Sequence, residues 1–155
     1  MVKSKKINVG ISIGDPNGIG IEVMLKALSD RPPNDNCNFI IYSSYDLIVN
    51  QKEDLNIKSL PLKKIESFDE ISQNSLNIKE VFTESKYEFG VFDKQVSKNA
   101  IISFKEAVKD ARDKKIDILI TSPIDKNLSY SKNFKFSGHT DDLRQYFNLD
   151  PTMLE

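Results

Sequence analysis

The sequence has 155 residues, of which 39% are hydrophobic and 29% charged, a composition typical of a globular chain that can bury one core. Its 22 Lys and Arg residues nearly balance its 23 Asp and Glu residues, and the net charge of -1 favours neither nucleic acid nor an anionic membrane as a partner. We expect no signal peptide and no membrane span, and the single Cys37 cannot form an internal disulfide, so a cytoplasmic location is predicted.

The first half of the chain alternates between strand and helix patterns. Branched residues at every second position predict a strand over residues 7–13, and apolar residues at helical spacing predict a helix over 19–28, ended by two prolines. A second strand is predicted over 37–42 and a shorter helix over 45–55. In the less regular stretch that follows, the candidate strands are 57–60 and 76–82.

The second half carries the clearest helix pattern. One stripe of seven apolar residues predicts a helix over residues 94–111, and the apolar run 116–121 predicts a strand that ends at a Ser-Pro turn. A last helix is predicted to run through Phe147, with Thr140 as its N-cap. Because strands alternate with helices, we predict an α/β fold with a mostly parallel sheet and no internal domain boundary.

The turn between the first strand and the first helix is the first candidate site. Gly14, Asp15, Gly18 and Gly20 lie where the carboxyl end of a parallel strand meets a helix amino terminus, which is where open α/β folds bind ligands. The loop is not a P-loop, because it lacks Gly-Lys-Ser/Thr, and Val23 stands where the Rossmann fingerprint requires glycine or alanine. The residues alone allow two interpretations, an active-site loop or a tight turn.

Two further candidates follow the last predicted strand. Lys126 either reaches into the same crevice or is a solvated surface charge. His139, the only histidine, stands beside Thr140, and both side chains can form hydrogen bonds with a small polar ligand. The alternative is structural, because Thr140 can cap a helix and the next two residues, Asp141 and Asp142, favour its dipole while repelling a phosphate.

Together the three segments resemble the 4-hydroxythreonine-4-phosphate dehydrogenase family. That family carries Gly-(Asp/Glu)-x-x-Gly-Ile-Gly, then Thr/Gly-(Ala/Ser/Gly)-Pro-(Ile/Val)-x-Lys, then Pro/Thr-Gly-His-Thr-(Asp/Glu), which correspond to residues 14–20, 121–126 and 137–141. Ser137 departs from the last pattern, and the resemblance extends from residue 7 to about 147. It implies the three-layer α/β/α fold of isocitrate and isopropylmalate dehydrogenases.

The resemblance also implies a chemistry. Family members oxidise 4-phosphooxy-L-threonine with NAD or NADP, and decarboxylation gives 3-amino-2-oxopropyl phosphate for pyridoxal phosphate synthesis. His139 and Thr140 match substrate-contacting positions, whereas Lys126 is a possible catalytic residue. A divalent metal (zinc, magnesium or cobalt) is held in the family by three histidines beyond the matched region, so this chain is expected to supply no metal ligand. The family forms homodimers.

We therefore interpret the chain as the truncated amino-terminal portion of such a dehydrogenase, without most of its NAD site. A lobe cut in mid-sheet is expected to expose apolar surface and an unpaired strand edge. Two alternatives stay open. One is a dehydrogenase of the same fold for a phosphorylated sugar acid such as threonate or erythronate phosphate, and the other is a non-catalytic module that binds small anions or another subunit.

Overall fold

Strands and helices alternate along the chain, as the apolar spacing predicts. The computed structural model describes residues 6–30, 36–124 and 138–148. Its elements within those ranges are β1 (Ile7–Ser12), α1 (Gly20–Asp30), β2 (Cys37–Ser43), α2 (Tyr45–Asp54), β3 (Leu62–Ile65), β4 (Leu76–Glu80), α3 (Lys94–Arg112), β5 (Ile118–Thr121) and α4 (His139–Phe147). A short 3-10 helix, Phe68–Glu70, lies between β3 and β4.

The five strands form one parallel sheet. Their order is β3-β4-β2-β1-β5, so β1 lies inside the sheet and β5 at one edge. Val9 of β1 pairs with Phe39 of β2 on one side and with Ile118 of β5 on the other. The first and last strands therefore lie side by side, and the loops at their carboxyl ends meet. The predicted parallel sheet is confirmed.

Helices cover both faces of this sheet. On one face, residues of α1 and α2 such as Leu25 and Ile48 pack against Ile11 of β1. On the other, α3 packs against β1, β2 and β5, and Leu143 of α4 contacts the buried α3 cluster that includes Phe104. The fold is thus a three-layer α/β/α arrangement, as predicted.

The helix α3 shows how its sequence sets its ends and its buried side. Asp93 caps the amino end, because its Oδ1 accepts hydrogen bonds from the backbone N–H groups of Gln95 at 2.7 Å and Val96 at 3.3 Å. The stripe that includes Ala100, Ile101 and Phe104 is buried. Within the described residues, no helix is both long enough and apolar enough to cross a membrane.

One predicted strand is wrong. Residues 57–60 form no strand, and β3 begins later, at Leu62. Helix α2 ends in a Schellman motif: Asn56 has a positive φ of 56°, and the Ile57 N–H donates to the Lys52 carbonyl at 3.0 Å. The Pro61 carbonyl oxygen accepts the Leu76 N–H at 2.8 Å, and the first residue pair between β3 and β4 is Leu62 with Leu76.

Candidate functional site

The glycine loop after β1 lies directly on the turn after β5. The Asp15 N–H donates to the Pro123 carbonyl oxygen at 3.1 Å. Gly14 has a φ of +67°, and a Cβ there would lie 2.4 Å from that same oxygen and 2.9 Å from Ser122 Cβ. A Cβ on Gly20, which begins α1, would also lie 2.9 Å from Ser122 Cβ. Glycine is thus required where the two backbones touch.

The Asp15 carboxylate holds the loop in shape. Its Oδ1 accepts the Asn17 N–H at 2.9 Å, and the Gly18 N–H donates to the Asp15 carbonyl oxygen at 3.0 Å. The other carboxylate oxygen lies 3.0 Å from the Ser97 hydroxyl in the first turn of α3. Asp15 therefore fixes the loop both internally and against α3.

Asn17 holds a second segment beside the glycine loop. Its side chain is 5% exposed. Its Nδ2 donates to the Val91 carbonyl at 2.9 Å, its Oδ1 accepts the Glu88 N–H at 2.8 Å, and its carbonyl accepts the Gly90 N–H at 2.9 Å. We refer to residues 88–92 as the strap. Asn17 thus connects the strap to the glycine loop through three backbone groups of the strap.

A crevice of about 410 Å³ opens between the glycine loop and the strap. It lies at the carboxyl ends of β1 and β5, where parallel sheets bind ligands. Ile19 and Phe92 are exposed on its two sides. The lining residues are Asp15, Asn17, Gly18, Ile19, Gly90, Val91, Phe92, Pro123 and Ile124.

His139 and Thr140 lie in the first turn of α4. The predicted cap is wrong: Gly138 is the N-cap, with a φ of 127° that favours glycine, so the helix begins one residue before Thr140. The His139 ring meets the Phe104 ring of α3 edge-on, with centroids 5.0 Å apart. Thr140 is exposed. Asp141 pairs with Arg144 at 3.6 Å, as a first-turn acid that also favours the helix dipole.

Helix α3 connects these parts of the candidate site. Along its length, Ser97 contacts Asp15, Ser103 Oγ accepts the N–H of Ile13 at 3.0 Å, and Phe104 contacts His139. The same Ser103 hydroxyl donates to the Tyr42 carbonyl of β2 at 2.6 Å. One rigid helix therefore positions the end of β1, the glycine loop and the start of α4.

Two further predictions concern Lys126 and a metal ion. Lys126 lies outside the described residues. Among the residues that are described, no three His, Cys, Asp or Glu side chains are grouped so that they could hold a metal ion. The described residues therefore do not fit a metal site, and we assign none of them to a metal.

The ionisable group with the largest pKa shift, Tyr42, lies away from the crevice. Burial, together with the neighbouring Asp110 carboxylate 3.0 Å from its hydroxyl, raises the pKa of Tyr42 far above its usual range. Asp110 is itself buried and pairs with Lys79. At the far edge of the sheet, the hydrogen bond from Lys64 lowers the pKa of Glu80. These groups stabilise the sheet rather than form the candidate site.

Sequence reasoning missed the residues that fasten the site together. Asn17 was visible only as one polar residue of a glycine-rich loop, and Ser97 as one polar position of a helix. Neither pattern indicates a partner more than seventy residues away along the chain, as the bond between Asn17 and Val91 requires. The Gly-Val-Phe sequence of the strap was likewise uninformative, because it has no strand or helix period.

Fold and site define an open α/β protein with a crevice of the kind that binds small ligands. The family model described as "Pyridoxal phosphate biosynthetic protein PdxA" matches residues 35–154. This match covers most of the chain, and the chain therefore belongs to that family. The resemblance carried by the three motifs is confirmed at the level of the family.

Two curated relatives are named as dehydrogenases. A 4-hydroxythreonine-4-phosphate dehydrogenase of Sulfurihydrogenibium sp. is 33% identical over 139 residues, which are 90% of this chain and 42% of that protein. A protein of Halalkalibacterium halodurans, named as a candidate D-threonate 4-phosphate dehydrogenase, is 30% identical over 147 residues, again with 42% of its length covered. The chain thus spans less than half the length of these relatives.

A solved structure supports the fold. The 4-hydroxythreonine-4-phosphate dehydrogenase of Burkholderia phymatum superposes with a TM-score of 0.82 at 23% identity, covering 95% of this chain and 45% of that one. At this sequence identity, the structural similarity supports a shared fold and nothing more. The predicted fold of the isocitrate and isopropylmalate dehydrogenases is confirmed for the part of it that this chain spans.

Proposed function

We propose that this chain forms the amino-terminal part of an NAD- or NADP-dependent dehydrogenase that oxidises 4-phosphooxy-L-threonine for pyridoxal phosphate synthesis. The observation that carries the proposal is the family match over residues 35–154, which includes the motif with His139 and Thr140. A relative named for this activity aligns with 90% of the chain. By resemblance, the working enzyme is a cytoplasmic homodimer.

In this proposal His139 and Thr140 contact the substrate. An imidazole and an exposed hydroxyl in the first turn of a helix are suited to hold a small polar molecule by hydrogen bonds. Asp141 and Asp142 repel a phosphate at this helix end, so the phosphate group of the substrate is expected to bind elsewhere.

The remaining candidates are the glycine loop, Lys126, the nicotinamide cofactor and the metal. Asp15 and Gly18 line the crevice, and Gly14 and Gly20 allow the loop to lie against the turn after β5. Lys126 stays a possible catalytic residue. A nicotinamide cofactor would accept the hydride. A divalent metal would be held by residues outside the described ranges 6–30, 36–124 and 138–148, and no step is assigned to it.

The direct test follows NADH formation. The purified chain is mixed with 4-phosphooxy-L-threonine, NAD and a divalent metal, alone and with the part of the Sulfurihydrogenibium relative that lies beyond its match to this chain. We expect turnover only in the mixture. Turnover by the chain alone would overturn the interpretation that it holds only part of the active site. If the two parts assemble but neither bind the substrate nor turn it over, the proposed activity is wrong.

A pair of substitutions tests the role of His139. His139→Phe keeps a ring against Phe104 but removes both nitrogen atoms, so we expect near-normal stability and turnover lowered about tenfold or more. The control is Gln145→Ala, at an exposed position on the same helix. If His139→Phe leaves turnover unchanged, the histidine is structural.

D-threonate 4-phosphate is the second candidate substrate, and the Halalkalibacterium relative favours it. The two compounds differ in having an amino group or a hydroxyl beside the carboxylate. Comparing kcat/KM for both substrates in the same mixture decides between them. Binding of either compound without hydride transfer would instead support a non-catalytic anion-binding module.

A further inference from the structure

The strap, residues 88–92, is a turn whose shape is set by its own backbone. The Val91 N–H donates to the Glu88 carbonyl oxygen at 3.1 Å, and Gly90, the third residue of this turn, has a φ of 75°. A hydrogen bond of this kind with a positive φ at the third residue is typical of a type II β-turn. Among the described residues, no heavy atom lies within 4 Å of a Cβ built on Gly90. The turn therefore does not depend on packing at its tip.

The residues on either side of the strap are anchored in the fold. Before it, the Tyr87 ring packs against the buried cluster that α1 and α2 share with the sheet, and its hydroxyl donates to the Asp54 carboxylate of α2. After it, Asp93 caps the amino end of α3. Because both flanks are held, any movement is confined to residues 88–92.

Between these anchors the strap has little support besides Asn17. Within the described part of the chain, every hydrogen bond from the strap to another segment goes to Asn17. The crevice of about 410 Å³ and a separate cavity of about 520 Å³ both border the strap, and Val91 lines both. Segments with few buried apolar contacts and few hydrogen bonds open at a low cost in free energy. The strap is therefore expected to open more easily than the helices and strands around it.

The strap also presents apolar side chains at the mouth of the crevice. Phe92 is 61% exposed, and Ile19, on the other side of the crevice, is 62% exposed. Phe89 is 44% exposed, although its ring contacts Tyr87 with centroids 5.1 Å apart. A ligand between Phe92 and Ile19 would remove apolar surface of both side chains from water, which favours closure of the strap on the ligand.

We propose that the strap is a hinged cover of the crevice, which moves as a preformed turn between Tyr87 and Asp93, and that Asn17 holds it in the observed position. Opening breaks the hydrogen bonds to Asn17 and keeps the bond between Val91 and Glu88 inside the turn. Asn17 is then a positioning residue, because it acts on a ligand through the strap residues that line the crevice. The inference goes beyond the proposed function, since it concerns access to the crevice.

The first test uses the full 155-residue chain without any ligand. The sequence contains no Trp, so Phe92→Trp, at an exposed position of the strap, supplies a single fluorophore. Adding Asn17→Ala should raise the amplitude of the nanosecond decay of its fluorescence anisotropy about twofold. Asn17→Asp is nearly the same size and cannot donate to the Val91 carbonyl, and it should give a smaller rise. The matched control is Asn50→Ala, which changes an exposed asparagine of the 520 Å³ cavity that forms no hydrogen bond with the strap.

Hydrogen exchange measured by NMR distinguishes a hinged turn from an unfolded one. In Asn17→Ala the amides of Glu88 and Gly90, which lose their partner or its support, should exchange about tenfold faster. The Val91 amide is bonded inside the turn and should change by less than about twofold. Equal acceleration of all three amides would overturn the proposal, because the turn would then unfold. Unchanged anisotropy in both Asn17 variants, or the same rise in Asn50→Ala, would also overturn it.

The second test uses the two-part mixture in which NADH formation is followed. A released strap must be ordered when a ligand binds, so Asn17→Ala should raise KM about threefold or more and affect kcat less. KM is measured separately for NAD and for 4-phosphooxy-L-threonine, and the ligand whose KM rises is the one that the strap covers. If neither KM changes, the strap covers no ligand of this reaction and the proposal is wrong. Anisotropy and exchange require no turnover, so an inactive mixture counts against the proposed activity alone.

Discussion

Replacing Gly14 by alanine should destabilise the protein more than the same substitution at Gly20 or Gly90. Two separate causes contribute. The residue has a φ of +67°, a conformation that costs an L-amino acid about 1 kcal/mol. In addition, the new Cβ would lie 2.4 Å from the Pro123 carbonyl oxygen, a contact that only a backbone shift can relieve. Overpacking of this kind costs about 1–3 kcal/mol. We expect a total loss of about 2–4 kcal/mol.

Two other glycines separate these causes. Gly90 has a φ of +75° but no heavy atom within 4 Å of a Cβ, so Gly90→Ala tests the conformational cost by itself. Alanine reduces the entropy of the unfolded chain, and the net loss there should be about 1 kcal/mol or less. Gly20 tests the steric contact by itself. Its Cβ would lie 2.9 Å from the Ile13 carbonyl oxygen, but it begins α1, where alanine is favourable.

Urea unfolding followed by circular dichroism gives the three free energies. The expected order of destabilisation is Gly14→Ala, then Gly20→Ala, then Gly90→Ala. Equal losses for Gly14→Ala and Gly90→Ala would refute the reasoning, because they would show that the loop does not press against the turn after β5. A difference of at least about 1 kcal/mol is needed to support it.

Three further predictions concern side chains that fasten the fold. Asn17→Ala should speed hydrogen exchange of the strap amides and cost about 1–3 kcal/mol, because the strap loses the two hydrogen bonds that it forms with the buried Asn17 side chain. Tyr42→Phe should cost about 1–3 kcal/mol in urea unfolding, since the hydroxyl is a neighbour of the buried Asp110 carboxylate. The lowered pKa of Glu80 contributes stability above its ordinary pKa near 4.5, which is lost as pH falls through the folded value. Glu80→Gln should therefore reduce the fall in the free energy of unfolding as the pH is lowered through the acid range. An unchanged pH dependence would contradict the pairing of Glu80 with Lys64.

Much of the fold follows from local periodicity. The stripe of apolar residues in α3 and the alternating residues of β1 predict both elements almost to their ends, because each pattern records which side is buried. The same reasoning fails between α2 and β4. There the end of α2 extends to Ile57, and Leu60 is buried without being in a strand. Burial alone does not distinguish a strand residue from a buried residue outside a strand.

The candidate site was predictable only in its parts. The first two motifs could be placed after a strand and the third at the start of a helix, and the parallel order of strands implied that the glycine loop and the Ser122–Pro123 turn share one edge of the sheet. The sequence does not contain the order β2-β1-β5, which makes those two turns direct neighbours. Likewise, capping patterns favoured Thr140, whereas Gly138 takes the cap because its backbone enters the helix with a φ that disfavours a side chain.

The arrangement along α3 explains why distant motifs belong to one site. Ser97 lies in the first turn of this helix and Ser103 near its middle, and their hydroxyl groups bind the loop and the end of the same strand, β1. Phe104, the next residue along, contacts His139 at the start of α4. A shift of α3 would therefore move the glycine loop and the start of α4 together. This coupling gives the buried face of α3 a role in the geometry of the site as well as in the core, and it predicts that substitutions at Ser103 alter ligand binding without touching the ligand.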